Sequence, residues 1–211
     1  GACVFNPATG QIGKYRRDAE WCPGHINDSG SFYIACDNPC IGIGAPLSPK
    51  YPLTRDPQTV QWWSEQSDEA QAAFADPVDL GDGLKQFVNW LCVITGKDRC
   101  ASPQPDDIRL WAHGPAFDPP ILAAAYKAVG LPVPWHHRAP RDTRTIFDAA
   151  GIDDHSAWLN QHPGPLGIEH HALDDAICQA RAVCAAMSRI ATWHESDKLQ
   201  AWEFGDRRSK S

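Results

Sequence analysis

Long apolar runs are absent from this sequence of 211 residues. No stretch approaches the roughly 20 apolar residues that are needed to cross a bilayer, and no secretory signal pattern is visible. Internal repeats and low-complexity blocks are also lacking. We therefore predict a cytoplasmic protein that does not act at a membrane. The length suits one medium domain or two small ones, and we predict one domain over residues 1–211.

Positive charge is also scarce, because 19 Lys and Arg stand against 26 Asp and Glu, for a formal net charge of −7. This balance argues against a protein that packages or coats nucleic acid, since such proteins present basic faces. An enzyme that handles nucleic acid through a metal site and a local basic patch is still compatible. WHHRAPRDTR, residues 135–144, is a candidate patch with Arg138, Arg141 and Arg144. Solvent-exposed arginines without a ligand are the alternative.

The eight cysteines are unevenly distributed along the chain. Cys92, Cys178 and Cys184 fall in apolar helical patterns, so we predict that they are small buried hydrophobes. CPGH followed by CDNPC offers four ligands of the kind that structural zinc uses. These four are Cys22, His25, Cys36 and Cys40. A disulfide or free thiols are the alternatives to zinc.

Residues 18–55 are rich in Gly, Pro, Cys and Asn and contain one strand-like segment, SFYIA. We predict an irregular insertion there, which contributes little to a regular sheet. Strands are expected in ACVFNPATGQIGKY before it and in IRLWAHG after it. Helical patterns are DPQTVQWWSEQS, SDEAQAAFA, LGDGLKQFVNWLCVITG, DPPILAAAYKAVG, RDTRTIFDAAG and ALDDAICQARAVCAAMSRIATWHES. This succession predicts an α/β domain that ends in a polar tail at residues 204–211.

GIEHHALDDAICQA, residues 167–180, places two histidines and two aspartates where the last helical pattern begins. Two-metal phosphodiester cleavage needs carboxylates that hold ions roughly 3.5–4 Å apart, and a base such as His near the attacking water. Asp118, Asp175 and a neighbouring His would supply these parts. Each residue also has a simpler interpretation. Acidic residues favour helix N-termini, Asp118 before Pro119 is a typical N-cap, and the histidines could face solvent.

The motifs taken together resemble those of the DnaQ-like (DEDDh) 3′–5′ exonucleases. EHHALDDAICQA is similar to the third motif, His-x-Ala-x-x-Asp, with His170, Ala172 and Asp175 in the matching positions. LWAHGPAFDPPILAAAYKAVGL looks like the second motif, which would place Asp118 on a metal ion, and RDTRTIF matches the segment between the two. GACVFNPATGQIG and TVQWWSEQS resemble a subgroup, the phage exonuclease-A-like and bacterial 3′–5′ exoribonuclease-like proteins. The resemblance covers most of residues 1–7 and 57–190.

The resemblance implies an RNase H-like mixed sheet flanked by helices, and hydrolysis with two Mg²⁺ or Mn²⁺ ions. His170 would be the general base, because His171 would need an Asp at position 176, where Ala stands. The family's first motif, Asp-x-Glu, should lie on a strand before GACVF. We therefore expect that this first strand is missing, or that it precedes Gly1 in the full gene product. Asp18 and Glu20 follow GACVF, and we interpret them as a coincidental match.

The substrate implied by the resemblance is single-stranded DNA or RNA with a free 3′ end. We predict that it enters past Trp62, Trp63, Arg141 and Arg144, because base–aromatic stacking tolerates any sequence. Core packing is an equal interpretation of the two tryptophans. DnaQ-like subgroups often form dimers, so a homodimer is a further implication. The alternatives are a catalytically impaired binding or structural module with a zinc-stabilised insertion, and a metal-dependent hydrolase of small nucleotides.

Overall fold

Short strands and longer helices alternate along the chain. The computed structural model describes residues 1–12, 26–27, 31–37, 51, 53–54, 56–72, 77–95 and 108–208. The strands are β1 (Ala2–Cys3), β2 (Phe5–Asn6), β3 (Gln11–Ile12), β4 (Ile26–Asn27), β5 (Ser31–Phe32), β6 (Cys36–Asp37), β7 (Val78–Asp79), β8 (Leu110–Ala112) and β9 (Pro140–Asp142). The helices are α1 (Pro57–Ser64), α2 (Asp68–Ala72), α3 (Leu80–Ile94), α4 (Asp118–Ala128), α5 (Thr143–Ala149), α6 (His155–Asn160) and α7 (Ala172–Arg208).

Within these residues the strands pair in four small sheets. The first has the order β1-β5-β4 with antiparallel pairs, and β2 and β3 form an antiparallel hairpin. The other two sheets are the parallel pairs β6–β7 and β8–β9. The prediction of a mixed α/β protein is confirmed at this level. The RNase H-like arrangement of one larger sheet stays a prediction.

The strand-like segment SFYIA belongs to the sheet and to the core. Phe32 pairs with Ala2 across β1 and β5 and is only 6% exposed. Its ring packs against Phe87 and Trp90 of α3, at centroid distances of 5.3 and 5.6 Å. The prediction of a strand-like segment in SFYIA is confirmed at Ser31–Phe32, whereas the expectation that residues 18–55 contribute little to a regular sheet is wrong for this segment. The reason is that burial of a large aromatic ring stabilises the pairing, whatever the Gly and Pro content on either side.

Most helix starts follow local signals in the sequence. Asp56 caps α1 through its carboxylate, which accepts from Thr59 N at 2.9 Å, and Pro57 occupies the first turn. Asp79, Asp142 and Asp154 cap α3, α5 and α6 in the same manner. These caps satisfy backbone N–H groups that have no partner inside the helix. The predicted positions of α1, α3 and α5 are thereby confirmed, whereas α6 was not predicted.

The last helix is longer than its sequence pattern. The prediction ended the helix at residue 196, whereas α7 continues to Arg208 and includes the first part of the predicted polar tail. Most residues of KLQAWE, 198–203, are good helix formers, so polarity alone does not end the helix there. No helix in the described ranges is long and apolar enough to span a membrane.

Two clusters of buried side chains hold the helices against the strands. The first packs α3 and α4 on β5 and β8 and includes Phe32, Leu80, Leu84, Trp90, Leu91, Ile108, Tyr126, Trp135 and Ala139. The second joins α5 to α7 and consists of Phe147, Ala150, Ile152, Ala182, Val183 and Ala186. Cys92 and Cys184 are buried as predicted, and Cys178 is half-buried. Burial of each large side chain stabilises the fold by about 1.5–3 kcal/mol.

The packing of α7 brings its N-terminal end against β1. At Gly1 a Cβ atom would overlap the backbone of Ala172 and Leu173, so the two segments approach more closely than a side chain allows. Cys3 in β1 donates its S–H to the Ala176 carbonyl at 3.3 Å. The residues at the start of α7 are therefore held at one end of the strands.

Candidate active site

A pocket of about 700 Å³ lies where α1, the start of α4 and the segment before α7 meet. Residues far apart in the sequence converge on it, including Asp118, Asp175 and His170. The remaining lining residues are Tyr33, Asp56, Gln58, Thr59, Trp62, Trp63, Phe117 and Ala172. The pocket therefore combines three carboxylates, an imidazole and several aromatic rings.

Asp118 is the first residue of α4 and is not its N-cap. The N-cap position belongs to Phe117, and no side-chain hydrogen bond caps this helix. The interpretation of Asp118 as an N-cap is therefore wrong, and its carboxylate is not engaged in that role. Asp118 is exposed and lines the pocket. The neighbouring protein atoms still desolvate it enough to raise its pKa.

Asp175 lies in the first turn of α7 and is half-buried. Burial raises the pKa of Asp175, whereas the His170 side chain and a backbone hydrogen bond from His170 lower it. Burial thus outweighs the stabilisation that His170 supplies to the ionised form. A divalent cation at the pocket would offset the remaining cost of charge on both Asp118 and Asp175.

The two adjacent histidines have different surroundings. His170 lines the pocket, has a φ of +63° and lies with its ring 4.7 Å from the Trp62 ring. His171 is instead stacked on Tyr33, with 4.7 Å between the ring centroids and 17° between the ring planes. Its Nδ1 accepts a hydrogen bond from Asp174 N at 3.4 Å, as a cap of α7. Of the two, His170 is therefore the histidine that shares the pocket with the carboxylates.

The neighbouring carboxylate, Asp174, points away from the pocket. It is 3% exposed and accepts hydrogen bonds from Leu166 N and Ile168 N in the segment before α7. The sequence predicted no role for Asp174 beyond the helix start. Successive residues of a helix point about 100° apart, which is the signal that only one of the two aspartates could face the pocket.

Trp62 and Trp63 lie on α1, none of whose residues is buried. Trp62 is 42% exposed, and the two rings meet edge to face at 5.0 Å. Core packing therefore does not describe them, and both rings line the pocket. Phe117, which is 64% exposed, and Tyr33 also line it and were missed. The place of Phe117 directly before Asp118 was the available signal, whereas nothing in the sequence marks Tyr33.

A family model described as the 3′-5′ exoribonuclease Rv2179c-like domain matches residues 1–187. The chain belongs to this family. No curated protein matches the chain, and no solved structure matches it either. The family indicates a 3′–5′ exoribonuclease-like function, that is, a hydrolase with a nucleic-acid substrate. The prediction of a 3′–5′ exonuclease family is confirmed at this level.

The two arginines predicted to contact substrate do not line the pocket of this Rv2179c-like domain. Arg141 folds back on its own loop, where Nη1 donates to the Arg138, Ala139 and Pro140 carbonyls at 2.6–3.2 Å. Arg144 Nε donates to His113 Nε2 at 3.2 Å. Burial and the charge of Arg144 lower the pKa of His113, which favours a neutral imidazole that can accept this bond. A role of either arginine in substrate binding stays a prediction.

The predicted zinc ligands of the Rv2179c-like domain fall mostly outside the described residues. Cys22, His25 and Cys40 lie outside them, and only Cys36 lies within. Burial raises the pKa of the Cys36 thiol, so a metal would have to displace its proton. Asp18 and Glu20 also lie outside the described residues. In the described part no group of three or more His, Cys, Asp or Glu side chains could hold a metal ion.

Proposed function

We propose that this Rv2179c-like domain removes nucleotides from the 3′ end of single-stranded RNA by metal-dependent hydrolysis. The observation that carries this proposal is the meeting of Asp118, Asp175 and His170 in one pocket beside Trp62 and Trp63. Carboxylates for a cation, a base for water and rings for bases are the parts that such a reaction needs. The choice of RNA rests on the description of the family as exoribonucleases.

Asp118 and Asp175 would hold the cation, Mg²⁺ or Mn²⁺. Hard cations take oxygen ligands, and Mg²⁺ in particular is often held by one or two protein carboxylates together with substrate phosphate and water. The raised pKa of both carboxylates supports this role, because a cation would offset the cost of their ionised forms. A bound ion would polarise the scissile phosphate and lower the pKa of a water molecule. A second ion requires carboxylates beyond these two.

His170 would accept the proton of the attacking water. Its side chain is 35% exposed, so a water molecule can reach the imidazole from the pocket. The centroid of the Trp62 ring lies 4.7 Å from that of the imidazole. The His170 side chain lowers the pKa of the Asp175 carboxyl, so the imidazole and this carboxylate lie close enough to interact.

Trp62 would stack on a base near the 3′ end, and its replacement should therefore weaken substrate binding. Base–aromatic stacking contributes about 1–3 kcal/mol, so we expect Trp62→Ala to raise KM for short RNA about tenfold and to leave kcat near wild type. Steady-state kinetics on a labelled heptanucleotide would measure this. Trp193→Ala is the matched control, because Trp193 is equally exposed at 43% but packs against Gly151 instead. Equal effects of the two substitutions would contradict a stacking role.

The proposal is tested with 5′-labelled single strands of RNA and DNA, incubated with Mn²⁺ and the full-length protein. We expect a ladder that shortens from the 3′ end, faster on RNA than on DNA, and no reaction in EDTA. A strand with a blocked 3′ end serves as the control for direction and should persist. Cleavage of mononucleotides alone would favour the small-nucleotide hydrolase. Absence of any cleavage would favour the binding module with a zinc-stabilised insertion.

A further inference from the structure

Asp174 is the one Asp, Glu, Lys or Arg side chain that is buried within the described ranges. Burial of a carboxylate is costly unless hydrogen bonds compensate it. The two carboxylate oxygens of Asp174 accept hydrogen bonds from the segment that precedes α7. Leu166 N donates to both oxygens at 3.1–3.2 Å, and Ile168 N donates to Oδ2 at 3.0 Å. The carboxylate thus binds two backbone groups of one short loop.

The same loop is packed tightly against Asp174 at a second point. Gly164 lies so close that an added Cβ would be 2.6 Å from Cα, Cβ and Cγ of Asp174. Such a separation does not occur between real atoms, so a side chain at position 164 would push the loop and Asp174 apart. The loop therefore contacts Asp174 at three positions, which are Gly164, Leu166 and Ile168.

The loop ends at His170, two residues after the anchored Ile168. His170 has a φ of +63°, a conformation that is uncommon for a residue with a side chain and persists when the surroundings impose it. The next residue, His171, donates its N–H to the Ile168 carbonyl at 3.3 Å. The orientation of the His170 ring toward the pocket therefore depends on the anchoring of Ile168.

We propose that Asp174 is a positioning residue, which holds the 164–170 loop so that His170 faces Asp175 and the pocket. This inference rests on the proposed function, because it assigns Asp174 to the support of the His170 base. Asp174 is not a ligand of the cation in this proposal. Its neighbour Asp175 has that role, and the two carboxylates act on different faces of the helix start.

The experiment compares Asp174→Ala, Asp174→Asn and Gly164→Ala with the wild-type full-length protein on the RNA substrate. A displaced catalytic group can cost about 100-fold in rate, and we expect that loss of kcat for Asp174→Ala. KM and the Mn²⁺ concentration for half-maximal rate should stay at wild-type values. Asn retains one acceptor oxygen, so the kcat of Asp174→Asn should be about tenfold higher than that of Asp174→Ala. Gly164→Ala keeps the carboxylate and should show the same selective loss of kcat.

Three results would overturn the proposal. The first is that the wild type is active and that Asp174→Ala and Gly164→Ala have the same kcat as the wild type. This result would leave the proposed function intact. The second is a raised Mn²⁺ requirement in Asp174→Ala, which would make Asp174 a metal ligand. The third is a wild type that cleaves no strand, which would overturn the proposed function as well. If Asp174→Ala does not fold, Asp174→Asn and Gly164→Ala decide by the same measurements.

Discussion

Replacement of Asp175 by Asn should abolish RNA hydrolysis and leave the fold intact. A bound cation contributes several kcal/mol to stabilisation of the transition state, so loss of its ligand should lower kcat about 1000-fold or more. Because burial raises the pKa of Asp175, the ionised carboxylate is unfavourable in the folded protein without metal. The amide removes that unfavourable charge. The thermal midpoint of the metal-free variant should therefore equal or exceed that of the wild type.

Kinetics on labelled RNA and thermal unfolding with and without Mn²⁺ would measure both effects. Mn²⁺ should raise the midpoint of the wild type, since it binds the folded state, and should raise that of Asp175→Asn much less. Asp153→Asn is the matched control, because Asp153 is exposed and lies outside the pocket. Wild-type turnover in Asp175→Asn would remove Asp175 from the metal site.

Replacement of His170 by Ala should lower kcat and spare metal binding. A positioned general base contributes about 10²–10⁴-fold to rate, and we expect a loss of that size. KM should change little, although the contact between His170 and the Trp62 ring also disappears. The Mn²⁺ dependence of the remaining activity should match that of the wild type. Initial rates across a Mn²⁺ titration would measure these quantities.

His171→Ala is the control for this prediction, since it removes an imidazole from the adjacent position. Loss of its cap on Asp174 N and of its stacking on Tyr33 should lower the free energy of unfolding by about 1 kcal/mol. Its kcat should fall far less than that of His170→Ala. A larger loss of kcat from His171→Ala would show that the base is His171.

Helix positions were largely predictable because their signals are local. Asp56 before Pro57 and Asp142 before Thr143 each cap a helix through bonds to residues within one turn. Predictions failed where a structure depends on contacts between distant segments, because such contacts leave no local signal in the sequence. The segment SFYIA was predicted to be strand-like but to contribute little to a sheet, whereas the burial of Phe32 depends on α3, which lies far along the chain.

The amino-acid sequence by itself determined which residues have the chemistry for the candidate site. His170, Asp118 and Asp175 could be selected because their types, spacing and order resemble the motifs of the DnaQ-like exonucleases, and membership of a 3′–5′ exonuclease family is confirmed. Neither spacing nor order says which side chains meet. The side chain of Asp175 points toward the pocket and that of Asp174 toward the loop. This difference follows from the orientation of α7.

Only the tertiary structure decided how these side chains are arranged. Packing of α7 against β1 and α5 sets the rotation of the helix, and thereby the surroundings of each residue in its first turn. The placement of Trp62 and Phe117 at the pocket depends on α1 and α4 in the same manner. A helix cap requires neighbours within one turn, whereas a pocket requires contacts between segments that only the packed core brings together.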